Sequence, residues 1–202
     1  MNKGQIRAHF LALLNRTDCS DALADTFIDQ ALTRIQRILR IPSMEKTQNY
    51  SITSQVSSII LPNDLIEIIS IYTSRYTMSR VSLREMKQFQ DAGEAGTPKH
   101  FCRQGEDILL YPFPSNTTVS IDYYAQFDDL TSDASENSLT LIASDLVTYT
   151  ALSYAADYFL DERGPLFEQK ASSFTSEIQE QANEAEQAGS LQTIRPSSIL
   201  ED

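Results

Sequence analysis

Apolar residues recur every three or four positions in the first 40 residues of the chain, which is the spacing of helices with one buried face. This spacing holds over residues 3–15 and again over residues 20–40. Ser20 is placed to cap the second segment, and Pro42 is placed to stop it. The pattern predicts a hairpin of two helices within residues 3–41.

The period changes to two in the middle of the chain, where short β-branched and aromatic runs alternate with polar residues. Turn residues separate these runs, and Gly105 lies in the predicted hairpin connection between two of them. Ser82 and Glu85 have the spacing of a capping box and predict one short helix. We therefore expect a small, mostly antiparallel sheet, forming a lobe over about residues 48–127.

Helical spacing returns after a polar, acidic loop at residues 128–138. Ser144 and Asp145 are placed to cap a helix that is apolar nearly all round, and such a helix belongs at the centre of a bundle. A longer helix follows and ends near residue 188, so the second helical pair covers residues 144–188. Residues 189–202 hold only scattered apolar side chains and are expected to form an extended arm or a frayed terminus.

Together these elements predict an α+β fold. It consists of a helical bundle (two N-terminal and two C-terminal helices) with a small inserted antiparallel β lobe, and the pattern alone favours a frayed terminus for residues 189–202. Residues 1–188 are expected to form a single domain, which is an ordinary size for one core.

Charge is distributed unevenly along the chain. The formal net charge is −12, from 28 acidic and 16 basic side chains. Residues 1–127 hold 13 of each sign, whereas residues 128–202 hold 15 acidic and three basic side chains. Such a surface repels DNA phosphates, which argues against a sequence-specific DNA-binding protein. A solvated acidic helix and a surface that DNA slides past both remain open.

The sequence contains no pattern typical of a catalytic or metal site. His9 and His100 lack partners at metal-ligand spacing, and Cys102 is interpreted as a small core residue. There is no glycine-rich phosphate loop and no nucleophile elbow. We predict no enzyme, no metal and no cofactor. No apolar run is long enough to span a bilayer, no signal peptide is expected, and the two cysteines favour a reducing cytoplasm.

Three phrases lie between the two helical pairs: LPND at residues 61–64, ILLYPFP at residues 108–114 and IDYY at residues 121–124. This order of phrases and elements resembles the head–tail adaptor (connector) proteins of tailed bacteriophages, especially those of short-tailed phages. The resemblance covers roughly residues 3–188.

The resemblance implies a structural protein of the virion neck, made in the host cytoplasm. Such adaptors form a homo-oligomeric ring, commonly dodecameric, beneath the portal protein, and an extended C-terminal arm docks along the portal. The resemblance therefore implies that residues 189–202 are an extended C-terminal arm and not a frayed terminus. The matching arm residues here are Leu191, Ile194, Arg195, Ile199 and Leu200. A ring needs two different patches on each subunit. Candidates for this subunit interface are Arg34, Arg37, Glu177, Glu180 and Glu184.

The resemblance also places the β lobe towards the tail or nozzle protein, with Tyr111, Tyr123 and Tyr124 as contact candidates. Tyr123 and Tyr124 point to opposite faces of one strand, so one face is either an interface or a half-buried sheet edge. DNA would pass through the ring without sequence-specific binding, and no membrane is involved.

Two other functions remain open. Another neck or tail-completion ring protein would share the ring but not the portal-docking arm. A non-virion cytoplasmic interaction module, or a small enzyme, would need a site that the sequence does not reveal. Removal of residues 190–202 distinguishes the adaptor from another neck or tail-completion protein, because only the adaptor should lose portal binding while keeping its fold. Substitution of His100 and Cys102 tests the hypothesis of an interaction module or enzyme.

Overall fold

The computed structural model of the chain describes residues 1–187. It divides into two compact units, which we call the bundle (residues 1–42 with residues 130–187) and the lobe (residues 43–129). Helix accounts for 46% of the structure and strand for 24%. The predicted α+β class is therefore confirmed, and the predicted arm, residues 189–202, lies outside the described residues.

Six α-helices and seven strands occur within residues 1–187. The helices are α1 (Lys3–Leu14), α2 (Asp21–Ile38), α3 (Leu83–Asp91), α4 (Ser138–Ile142), α5 (Ser144–Phe159) and α6 (Gly164–Gln187). The strands are β1 (Glu45–Ile52), β2 (Ser58–Ile60), β3 (Leu65–Thr73), β4 (Ser79–Arg80), β5 (His100–Gln104), β6 (Asp107–Tyr111) and β7 (Thr117–Ala125). Helix α3 and all seven strands belong to the lobe, and the other five helices form the bundle.

Helix α5 lies at the centre of the bundle, as its nearly uniform apolar pattern predicts. It packs against α1, α2 and α6. Its side chains at Leu146, Val147, Ala151, Leu152 and Ala155 have no exposed surface. Burial of these side chains, with Phe10 of α1 and Ile28 of α2 equally enclosed, supplies the apolar core of the bundle.

Two of the three predicted N-terminal helix caps are present in the structure, and the third is not. The Leu23 amide donates to Ser20 Oγ at 3.3 Å, and the capping box between Ser82 and Glu85 is formed, so both predicted caps are confirmed. The predicted cap at Ser144 is wrong. The short helix α4 ends directly before α5, so Ala143 occupies the cap position without a side-chain bond and Ser144 is already helical.

The lobe contains two sheets facing one core, where the alternation of residues predicted a single sheet. The first has the order β1-β7-β3 and is antiparallel throughout. The second has the order β2-β6-β5-β4, and its last pair is parallel. Apolar side chains from both sheets form one cluster, among them Ile71, Phe101, Leu110 and Ile121.

Helix α3 covers the opposite face of the second sheet. Met86 of α3 is fully buried and packs with Cys102, Leu109 and Tyr111. The predicted assignment of Cys102 to the core is confirmed. The cluster anchors a helix of only nine residues, which would be marginal alone in water.

Candidate functional site

The exposed carboxylates of α6 form what we call the acidic edge, consisting of Glu177, Glu180 and Glu184. Their spacing of three and four residues places them along one face of the helix. Ser173 Oγ donates to Glu177 Oε1 at 2.8 Å, and no ion pair to these three carboxylates occurs within residues 1–187. The last turn of α6 contains no basic residue, so like charges and the helix dipole both disfavour this surface in isolation.

The second set of predicted interface residues lies on α2. The Arg34 guanidinium makes a bidentate pair with Glu168 of α6 in the same chain. The pair holds the pKa of Glu168 below its usual range, chiefly through these hydrogen bonds. Arg37, one turn further along, is exposed and has no carboxylate partner in the described part of the chain.

A groove of about 450 Å³ opens beside the Arg34–Glu168 pair, between α2, α5 and α6. Its lining includes Tyr154 and Asp161, together with Leu160, which follows α5 in a left-handed conformation with φ of 54°. Leu160 is 89% exposed. The bundle therefore presents an exposed apolar side chain directly beside charged ones, a mixture common in protein–protein interfaces.

The three tyrosines predicted for the tail-side surface have different environments in the lobe. Tyr111 is buried and stacks on Phe89, with ring centroids 5.5 Å apart. Tyr123 is buried and donates to Asp64 Oδ1 at 3.0 Å, and burial raises its pKa to about 12. Tyr124 points to the other face of β7 and is half-buried. Of the three, Tyr124 has the surface best suited to contact another molecule.

The outer face of the first sheet carries a hydroxyl cluster that the sequence did not reveal. Asp122 of β7 accepts hydrogen bonds from Thr47 Oγ1 at 2.7 Å, Ser70 Oγ at 3.2 Å and Tyr72 Oη at 3.3 Å. Cross-strand register brings these side chains from β1 and β3 to one carboxylate. This register comes from long-range strand pairing, which periodicity alone does not specify.

The two histidines lie in different environments, His9 in the bundle and His100 in the lobe. His9 is exposed, and His100 stacks on Phe89 at 5.2 Å between ring centroids. In residues 1–187 no group of three or more His, Cys, Asp or Glu side chains is arranged to hold a metal ion. The described helices include none that is long and apolar enough to cross a membrane.

Comparison with protein families supplies the decisive observation. A family model described as SU10 adaptor protein matches residues 1–197, nearly the whole chain. The chain belongs to the SU10 adaptor protein family. No curated protein sequence matches it significantly.

Membership of the SU10 adaptor family confirms the predicted resemblance to phage head–tail adaptors. The family is one of structural phage proteins and not one of enzymes. It implies a place at the virion neck and contacts with other head and tail proteins.

The family match also reaches into the predicted arm. Leu191, Ile194 and Arg195 fall within the matched residues, whereas Ile199 and Leu200 lie beyond them. All five lie outside the described residues, so their contacts stay a prediction.

Proposed function

We propose that this adaptor forms a closed ring between the portal and the tail and lines part of the channel through which DNA passes during genome ejection. The match to the adaptor family over residues 1–197 carries the proposal, because it fixes the phage adaptor role on which the finer assignment rests. A ring of about twelve copies is expected from the earlier resemblance.

The charge distribution supports heterologous contacts between subunits. A ring requires two different patches on each copy. We assign one patch to the acidic edge, Glu177, Glu180 and Glu184. The other includes the α2 face with Arg34 and Arg37. Because Glu168 already binds Arg34, we expect Arg37 to reach the neighbouring subunit and Arg34 to hold the α2 face in place.

The C-terminal arm is assigned to the portal. Its apolar anchors, Leu191, Ile194, Ile199 and Leu200, are separated by polar residues and suit an extended segment that becomes ordered against a partner. Arg195 would pair with a portal carboxylate. The lobe would then meet the tail or nozzle protein, with Tyr124 as the most accessible of the three predicted tyrosines.

Truncation tests the portal assignment. A chain lacking residues 190–202 should keep the melting temperature of the full chain but lose binding to the portal protein of the same phage, measured by co-sedimentation. The control replaces Arg195 alone with Ala, which should weaken binding without abolishing it. Undiminished portal binding by the truncated chain would instead favour a tail-completion role.

A further inference from the structure

The outer face of α2 carries two exposed side chains of opposite charge. Asp29 and Arg37 are eight residues apart, which is about 12 Å along the helix axis. Arg34, the only other charged residue between them, is paired with Glu168 of the same chain. Asp29 is 62% exposed and accepts one side-chain bond, from Lys3 at 3.4 Å. The outer face of α2 is therefore negative near its middle and positive near its C-terminus.

The exposed face of α6 carries the same two charges in the reverse order. Lys170 and Glu177 are seven residues apart, about 10 Å along the axis, and this interval returns to the same face of a helix. No other charged residue lies between them. Lys170 lies over the Tyr149 ring, 4.6 Å from its centroid, and forms no ion pair within residues 1–187. In the direction of the chain, this face is positive first and negative second.

A groove of about 350 Å³ follows the outer face of α2. Its lining begins at Thr26, includes Asp29 and Thr33, and ends at Arg37, so the groove spans about three turns of the helix. The hydroxyls of Thr26 and Thr33 donate to backbone carbonyls of their own helix at 3.0 and 2.8 Å. A second helix can therefore cover this groove without leaving either hydroxyl donor unsatisfied.

We propose that α6 of one copy of this chain lies along the α2 groove of the next copy, with the two helices parallel. Lys170 then meets Asp29, and Glu177 meets Arg37. The proposal rests on the ring assigned above: it adds the first pair to the contact of Arg37 with the acidic edge and fixes the direction of the helices. An antiparallel arrangement would place like charges together, Asp29 opposite Glu177 and Arg37 opposite Lys170.

The packing within one chain supports this direction. Arg34 pairs with Glu168, and the Arg40 amide donates to Gln179 Oε1 at 3.0 Å, so α2 and α6 run parallel in the bundle. In a ring whose axis runs along the bundle, rotation keeps that direction, so α6 of one copy and α2 of the next are also parallel. Lys170 lies two residues, or about 200°, from Glu168, so the exposed charges of α6 point away from α2 of their own chain.

Cross-linking at four single positions tests the direction of the helices. Chains carrying Asp29→Cys, Arg37→Cys, Lys170→Cys or Glu177→Cys are mixed in pairs on the portal protein and treated with a short bifunctional maleimide. The pairs 29–170 and 37–177 should be joined several-fold more often than the control pairs 29–177 and 37–170, whose positions are about 10 Å further apart along the axis. The two native cysteines are buried, and the unmodified chain measures their background. Equal yields for all four pairs would overturn the proposal.

Exchange of one charge pair gives an independent test. Arg37→Glu alone and Glu177→Arg alone should each weaken assembly on the portal by about tenfold, because each places like charges together. A chain with both substitutions should recover most of that loss. Glu184→Arg, two turns further along α6, is the matched control and should not rescue Arg37→Glu. All three side chains are exposed, so the melting of each monomer should be unchanged.

The outcomes separate this contact from the ring itself. A ring on the portal without the two expected cross-links would refute the contact and leave the ring in place. Links between Asp29→Cys of one copy and Arg37→Cys of another would show α2 packed on α2, a two-fold contact, and would also refute the proposal. Failure of the unmodified chain to assemble on the portal would refute the proposed ring.

Discussion

Arg7 joins three segments of the bundle, and its removal gives the sharpest prediction about stability. Its guanidinium donates to Asp25 of α2 at 2.6 and 2.7 Å and to Asp133, in the loop before α4, at 2.6 and 3.2 Å. The Arg7 side chain is 14% exposed and that of Asp25 27%. Replacing Arg7 by Met keeps the apolar stem and removes the charge.

The expected loss follows from the exposure of the two carboxylates. Hydrogen bonds between charged groups contribute about 1.5–3 kcal/mol when the partners are largely buried, which applies to Asp25. Asp133 is 68% exposed, so water and salt screen its pair with Arg7, and we assign no part of the loss to it. We therefore expect Arg7→Met to lower the free energy of unfolding by about 1.5–3 kcal/mol. For a chain of this length that corresponds to a fall in melting temperature of roughly 5–10 °C.

Urea unfolding and thermal melting, both followed by circular dichroism at concentrations where the chain is monomeric, measure this loss. Arg37→Met is the matched control, because Arg37 is exposed and lacks an ion pair within residues 1–187. Its effect should stay within about 0.5 kcal/mol. Equal effects of the two substitutions would refute the view that the Arg7 bonds hold α1, α2 and the loop together.

Three further changes probe other parts of the fold. Arg163 lowers the pKa of Asp161 to about 2, so Asp161→Asn should lower the free energy of unfolding at pH 7. In acid-unfolding curves, the difference in stability between this variant and the unmodified chain should shrink between about pH 4 and pH 2. Tyr123→Phe removes the bond to Asp64 and should cost about 1 kcal/mol in urea; it should also remove a phenol that ionises near pH 12 in ultraviolet titration. Met86→Ala should cost about 2–5 kcal/mol in the same assay, because the side chain is fully buried.

Local signals in the sequence predicted the helices well. Ser20 and Ser82 form the caps that their spacing indicates, and the apolar pattern of α5 correctly places it at the centre of the bundle. These features depend on residues within one or two turns of each other. The short helix α4 was missed although Asn137 and Thr140 form a capping box, because five residues give too little periodicity to identify a helix.

Long-range pairing explains what the sequence could not predict. The parallel pairing of β4 with β5 and the separation of the lobe into two sheets depend on contacts across many residues. The same holds for the bond between Arg34 and Glu168, which lie 134 positions apart. Because the sequence does not reveal this bond, it gives no reason to distinguish Arg34 from Arg37 as interface candidates.

The sedimentation mass of the purified adaptor, alone and mixed with the portal protein of the same phage, tests the central claim most directly. We expect a small species alone and a defined ring of about twelve copies on the portal. A protein that keeps its small mass in the presence of the portal would contradict the assignment to the portal–tail junction.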